Sequence, residues 1–341
     1  MNYKYNILFI FSFILMVASC EKDDDTTSIQ VPENDRTEQQ AIDNDSLIVY
    51  LNTHYYNSSV VNSLENPTME DLIISELLDG ETLPTNTSLL INDVQTMITT
   101  YLEVEYVYYI LKIKQGDGEY SPNFTDAIRV SYNGFLSDGT VFAQSAFQQP
   151  IELTSTIQGW NRVFPQFNVS NSFTSNVDGT VSFEGSGMGA MFLPSGLSYF
   201  STYKSGIPTY SNLMYKFELL QAESRDHDLD NIPSHMEISQ SNDSDLLIDT
   251  DEDLFLNFLD SDDDGDGTAT ASEIKIDTYS DMTLEGLQTI LDAVELMSNQ
   301  FISPISTLPD GTFTANIITL VDDNGNGIPN YLDVTESDTI E

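Results

Sequence analysis

The acidic C-terminal third of the 341-residue chain places oxygen-bearing side chains at alternate positions. Asp262, Asp264, Asp266, Gly267, Thr268, Thr270 and Glu273 fit a twelve-residue pattern, D-x-D-x-D-G-x-x-x-x-x-E. That spacing lets the oxygens converge on one calcium ion. Gly267 permits the sharp turn, and Glu273 closes the sphere with both oxygens. The spacing returns at Asp322, Asn324, Asn326, Gly327, Ile328, Asn330 and Asp333. It returns again at Asp226, Asp228, Asp230, Ile232 and Glu237, with Asn231 where glycine is preferred. A weaker copy, Asp249, Asp251, Asp253 and Asp260, lacks the glycine. The expected cofactor is structural Ca2+, held with the Kd of about 10⁻⁴–10⁻³ M of extracellular modules. The alternative is a solvated acidic tail without metal. Nucleophilic chemistry finds no support: the three histidines are scattered, and no Ser-His-Asp or Cys-His constellation is evident.

The elements that must carry these residues begin with a targeting segment. Lys4 is a short positive region, and Ile7 to Val17 form an apolar run of signal-peptide length. The run is shorter than the ~20 apolar residues of a spanning helix. Val17-Ala18-Ser19-Cys20 ends it, and Cys20 is the single cysteine, so no internal disulfide can form. Removal of residues 1–19 takes away Lys4 and leaves 10 basic against 55 acidic side chains, a net charge of −45. Such a chain repels nucleic acid and anionic headgroups, whose phosphates need Lys/Arg clusters. An exported chain without disulfides needs another staple, and bound metal supplies one.

Residues 20–45 are polar and acidic and are expected to form a flexible tether. Residues 46–103 suggest a small helical region, with Leu72, Ile73, Glu76 and Leu77 at helix spacing after Pro67 and further apolar residues from Leu89 to Leu102. Val104 to Lys114 is a strand closed by the turn at Gln115 to Gly118. Alternation at Ile128, Val130 and Tyr132, and at Leu213, Tyr215, Phe217 and Leu219, marks two more, with a hairpin signal at Ser137-Asp138-Gly139. Leu284, Leu287, Ile290, Leu291, Val294 and Met297 share one helical face, expected to pack against the calcium loops.

Three resemblances add to this reading. The small residues before Cys20 resemble the bacterial lipobox, which implies acylation of Cys20 and a cell-envelope location. Glu21 to Asp25 resembles the surface-export signal of lipoproteins in the Bacteroidetes group, which implies the outer membrane and its surface. The bland alternatives are an uncleaved anchor and a solvated linker. The Asp-rich loops with Ile232-Pro233 and Ile328-Pro329 resemble thrombospondin type 3 repeats, and helices of EF-hand type are not evident around all of them.

The middle of the chain resembles the FKBP-type peptidyl-prolyl cis–trans isomerases. Val130 to Phe142 reads V-S-Y-N-G-F-L-S-D-G-T-V-F against the family's V-x-Y-x-G-x-L-x-D-G-x-x-F. Ile157 to Trp160, Leu193 to Tyr199, Ile207-Pro208 and Leu213 to Leu220 follow in family order. The resemblance implies an α+β fold over 104–222, a curved antiparallel sheet wrapped on a short helix. A loop-rich calcium-binding region, 223–341, would follow it. It also implies a proline pocket floored by Trp160 and walled by Tyr132, Phe142, Ile151, Ile157, Tyr199 and Tyr215. The Ile157 N–H and the Tyr199 hydroxyl would hold peptide carbonyls. The implied partners are proline-containing segments of exported proteins, with the membrane reached through the N-terminal lipid. Three departures stand out: Ala143 where the family usually has Asp, Phe200 where Gly follows the motif Tyr, and an insertion from Asn168 to Gly185. They leave open a second reading, a non-catalytic peptide-binding module of a calcium-stabilised surface adhesion or assembly protein.

Overall fold

A computed structural model describes residues 32–145, 150–238, 247–336 and 339–340. The signal segment, Cys20 and the Glu21 to Asp25 run lie outside the described residues. Among the described residues no helix is long and apolar enough to cross a membrane.

The chain enters as helix α1, Arg36–Thr53. The Asp35 side chain caps it by accepting from the Glu38 amide at 3.0 Å. This corrects the expected tether, which ends ten residues early. The polar composition of 36–45 misleads because Gln39, Gln40 and Asp43 are buried on the packed face, beside Leu47 and Leu51 further along. Three short strands follow, β1 His54–Tyr56, β2 Ile74–Glu76 and β3 Ser88–Leu89, forming a small sheet in the order β2-β1-β3. The helical expectation around Leu72 to Leu77 is therefore corrected. Met69–Asp71 makes one 3₁₀ turn capped by Thr68, and the next residues pair edgewise with β1.

Strands β4 Gln95–Tyr101, β5 Val104–Lys114, β6 Ala127–Phe135, β7 Val141–Gln144 and β8 Ile151–Glu152 come next. Helix α2, Gln158–Val163, is followed by β9 Ser172–Ser175, β10 Val181–Glu184, β11 Gly187–Leu193 and β12 Leu213–Glu223. The main sheet is antiparallel, in the order β4-β5-β11-β12-β6-β7 with β8 on β6, so the architecture is α+β. Its first strand, β4, lies inside the region expected to be helical, and the boundary expected at 103/104 cuts a hairpin. Leu102 and Glu103 form its tip with φ of +49° and +62°. Such turns normally carry Asn-Gly, so no local signal marked it.

Both faces of this sheet are covered. On one, Tyr106, Tyr108, Ile110, Met191, Leu193, Tyr215 and Phe217 pack with Trp160, Val163, Phe164 and Phe167 of α2 and the turn after it. On the other, Tyr109, Leu111, Met188, Ala190, Phe192 and Met214 pack with Leu47, Tyr50 and Leu51 of α1. Every residue of β11 is buried, which is why its sequence shows no alternation. Hairpin β9–β10 is the Asn168 to Gly185 insertion, and it stands largely exposed.

The C-terminal region holds more regular structure than the loops alone imply. Strands β13 Ile274–Asp281, β14 Gln300–Ile302, β15 Ser306–Thr307 and β16 Phe313–Leu320 form a second antiparallel sheet. Helix α3 is Leu284–Asp292, stopping before Val294 and Met297. Leu287 and Leu291 pack on Tyr279, Phe313 and Ala315 of this sheet, not on the acidic loops as expected. Ile232, Ile274, Ile318 and Tyr331 form a further core that ties loops to strands.

Candidate functional site

Two constellations emerge, an aromatic cleft on the main sheet and a set of acidic loops. The cleft has a volume of about 620 Å³ and is lined by all seven residues that the family resemblance implied: Tyr132, Phe142, Ile151, Ile157, Trp160, Tyr199 and Tyr215. Tyr132 and Tyr215 come from the paired strands β6 and β12, and Phe142 from β7. Ile157 is the N-cap of α2 and Trp160 lies one turn further on.

Small residues permit this packing. A Cβ on Gly159 would sit 2.4 Å from Leu193 Cδ1, so only glycine lets α2 close on β11. A Cβ on Gly134 would meet Phe142 Cε2 at 2.7 Å and Tyr215 Cε1 at 2.8 Å, inside the cleft wall. The Trp160 ring meets Tyr132 edge-on, centroids 5.0 Å apart at 81°, and Tyr215 at 5.4 Å and 84°. Phe142 meets Tyr215 at 5.5 Å and 90°. Edge-to-face contact is the geometry aromatic quadrupoles favour. Burial raises the Tyr199 phenol, and more strongly that of Tyr215, so both stay protonated donors at neutral pH.

Tyr101, Ser155, Thr156, Gln158, Ser198, Lys204, Ser205 and Ile207 also border the cleft, beside Ala143. Sequence reasoning named none of these first eight as site residues. Tyr101 arrives from β4 through the hidden hairpin, and the Lys204 ammonium lies 5.2 Å from the Tyr199 ring centre. Only the folded sheet brings these together. No residue of the Asn168 to Gly185 insertion borders the cleft.

The wall bearing Tyr199 is fastened from behind. Asp43 of α1, 2% exposed, accepts from the Ser195 amide at 2.8 Å, the Ser195 hydroxyl at 2.6 Å and Gln39 Nε2 at 2.7 Å. Burial raises the Asp43 carboxyl, and these hydrogen bonds pull it back. Phe200 adopts φ +49°, a conformation glycine takes freely and other residues resist. Its ring offsets that cost by packing under the Arg36 guanidinium, 4.0 Å away, and edge-on to Tyr210 at 5.1 Å.

The acidic loops repeat one backbone design four times, at 226–237, 249–260, 262–273 and 322–333. The amide of the sixth residue donates to Oδ2 of the first: Asn231 to Asp226 (3.1 Å), Leu254 to Asp249 (3.1 Å), Gly267 to Asp262 (3.1 Å) and Gly327 to Asp322 (2.9 Å). The seventh amide donates to the fifth side chain at 2.7 Å in every copy. All four sixth residues have positive φ, between 83° and 96°. The loops without glycine thus adopt the same path, at the cost of strain at Asn231 and Leu254.

Their carboxylates gather differently. In the first loop Asp228, Asp230 and Glu237 lie with Asp263 of the third, each offering an oxygen within 4.8 Å of the others. Asp249, Asp251 and Asp253 form a second group, and Asp262, Asp264 and Asp266 a third. Thr268 seats Asp266, and Asp226 accepts from Leu229 and Asn231. Both oxygens of Glu237, Asp263 and Glu273 are buried without a hydrogen-bond partner, as is one oxygen each of Asp228, Asp230, Asp249, Asp262, Asp264 and Asp266. Burial, then mutual repulsion, pushes Glu273 up to about 8 and Asp263 to about 9. Such an all-oxygen, unpartnered donor set has the chemistry of a site for a hard cation.

The fourth loop differs. Asn324 and Asn326 turn their amides onto Asp333 Oδ2, at 3.0 and 2.6 Å. Those bonds and the Thr335 hydroxyl, the largest cause, hold the Asp333 carboxyl down at about 2. Asp322, Asn324, Asn326, Ile328 and Asp333 share one loop, yet among the described residues they make no group of three carboxylates. Asp263 is the ligand-type residue that sequence reasoning missed here, since its partners lie more than twenty residues away.

No family model matches this chain, and no curated protein matches it. Similar solved structures include a peptidyl-prolyl cis-trans isomerase from Pseudomonas syringae pv. tomato str. DC3000. It is 21% identical over 34% of this chain and 75% of that one, with a TM-score of 0.28. FkpA from Escherichia coli is 24% identical over 34% of this chain and 48% of its own, with a TM-score of 0.28.

Proposed function

We propose that this chain is an FKBP-type peptidyl-prolyl cis–trans isomerase, lipid-anchored through Cys20 in the cell envelope, that acts on proline-containing segments of exported proteins. One observation carries the reading: seven residues scattered over 84 positions, chosen from the family resemblance alone, line a single cleft. The lipid anchor and the outer-membrane location rest on the sequence around Cys20.

The chemistry asks for no nucleophile. Rotation about a peptide bond costs about 18–20 kcal/mol because it breaks amide resonance. The planar, charge-separated amide is best solvated by water, so an aromatic cleft favours the twisted form. Trp160 would underlie the proline ring, with Tyr132, Phe142, Ile151 and Tyr215 as walls. The Ile157 N–H and the Tyr199 hydroxyl would hold the flanking carbonyls in a turn, binding the twisted state better than either ground state. Calcium, when bound, would neutralise the acidic loops and fasten them together. Asp226, Asp228, Asp230 and Glu237 would hold one ion, and Asp262, Asp264, Asp266 and Glu273 another.

Ala143 within the cleft and Phe200 behind Tyr199 favour the second reading, a peptide-binding module without turnover. A prolyl-isomerisation assay separates them. The whole chain is required, because cutting at 104 would remove Tyr101 and α1. Acceleration that is lost in Trp160→Ala is expected. No acceleration, with peptide binding still seen in the fluorescence of Trp160, the single tryptophan, would establish the binding module instead.

A further inference from the structure

We propose that Asp263, borne by the third acidic loop, is a ligand of the cation held by the first, so that the two loops fill as one coupled unit. The inference rests on the calcium reading above and goes beyond it, since each loop was expected to supply its own ligands.

Asp263 is the second residue of the loop 262–273, where the pattern asks for no ligand. Its backbone duty is shared by all four copies. The second-residue amide donates to the ninth side chain: His227 to Ser234, Thr250 to Asn257, Asp263 to Thr270 and Asp323 to Asn330, at 3.0–3.2 Å. Histidine and threonine serve there equally well, so that duty does not require a carboxylate. Asp323 in the fourth loop has a local use, accepting from Asn330 Nδ2 at 3.1 Å. The Asp263 carboxylate has none. The residue is 2% exposed and neither oxygen has a hydrogen-bond partner.

What the carboxylate faces is the first loop. It lies with Asp228, Asp230 and Glu237, and the four ligand oxygens are all within 4.8 Å of one another. Glu237, also 2% exposed, leaves both its oxygens unpartnered, and Asp230, 1% exposed, leaves one. Among the described residues none of the four takes part in an ion pair. Three buried carboxylates and the half-buried Asp228, without a counter-charge, can stay ionised together only around a cation. The geometry therefore adds to Asp228, Asp230 and Glu237 of the first loop a carboxylate from outside its own twelve residues. Its neighbours Asp262 and Asp264 belong to the third loop's own group. A cation there fixes the backbone from which Asp263 projects, and occupancy of either loop strengthens the other by the same factor.

Calcium titration of the chelator-stripped whole chain, read by calorimetry for stoichiometry and affinity, tests this. Asp263→Asn keeps the amide bond to Thr270 and is expected to weaken the first-loop ion by at least about tenfold. Glu237→Gln should remove the same ion, so the double variant Asp263→Asn/Glu237→Gln should lose no more calcium than Glu237→Gln alone. Reciprocally, Glu237→Gln should lower the affinity of the third loop, and Asp323→Asn should leave the first loop unchanged. A wild-type isotherm for Asp263→Asn, or one further ion lost in the double variant, overturns the inference while the calcium reading stands. Absence of calcium binding in the wild-type chain overturns both. Circular dichroism of each variant identifies any that fails to fold, and the reciprocal effect of Glu237→Gln decides the case if Asp263→Asn does.

Discussion

Replacing Asp43 by alanine tests whether α1 holds the cleft wall in place. The side chain accepts three hydrogen bonds in a site 2% exposed, two of them from Ser195, which is fully buried. Truncation removes the acceptor of the Ser195 amide and hydroxyl, and each orphaned buried donor costs about 1–3 kcal/mol. Part of that is returned because a costly buried carboxylate, whose pKa burial raises, is removed as well. The net loss should be roughly 2–4 kcal/mol. Urea unfolding followed by Trp160 fluorescence measures it, with the m-value checking that the transition keeps its character. Ser195→Ala removes only the hydroxyl bond, and a double-mutant cycle with Asp43→Ala should give a coupling of about 1–2 kcal/mol. Peptide affinity should fall in parallel, because Ser195 begins the turn that ends at Tyr199. A loss below about 0.5 kcal/mol, the range of an ordinary surface substitution, would refute the view that this strap fastens the wall.

Tyr199→Phe should weaken proline-peptide binding by about 1 kcal/mol, roughly fivefold, if the hydroxyl donates to a carbonyl; equilibrium titration checks it, and an unchanged Kd removes that role. The acidic loops predict a pH dependence that calcium reverses. Asp230, raised to about 7, Glu273 to about 8 and Asp263 to about 9 all bind protons more tightly folded than unfolded. In chelator their contribution is therefore fully present below about pH 4 and is lost as pH rises through those values. Protons compete with calcium for the same oxygens, so the rise in Tm on adding calcium should be larger at pH 8 than at pH 5; scanning calorimetry at both pH values measures it, and an equal rise contradicts the assignment. Leu254, 90% exposed at φ +86°, loses no packing on truncation, so Leu254→Gly should stabilise the chain by about 0.5–1 kcal/mol. Denaturant unfolding in chelator reads this, and destabilisation would show that the loop path differs.

Much of the acidic region is legible because its determinants are local. A twelve-residue loop carries its own alternating oxygen-bearing side chains and closing acid, so spacing alone locates all four copies. The copy at 249, read as weak for want of glycine, and the copy at 226, with Asn231 at that position, have the same hydrogen bonds as the others. Strands β6 and β12 are legible from alternation, whereas β11 is not, because α1 and α2 cover opposite faces of its sheet. The polar start of α1 misled for the converse reason, its buried Gln39 and Asp43 being hydrogen-bonded to each other inside the protein.

The sequence by itself determined the order of the aromatic motifs, the repeat of the acidic loops and the distribution of charge, since each is a matter of residue type and short spacing. Tertiary structure alone decided that Tyr101 and Lys204 border the cleft, that Asp43 holds the Tyr199 turn from 152 residues away, and that Asp263 lies among the carboxylates of a neighbouring loop. These depend on strand order and on which face is covered. A carboxylate's role is set by the charges and donors that folding brings within a few ångströms, and chain spacing does not encode that distance once the partners lie on different elements.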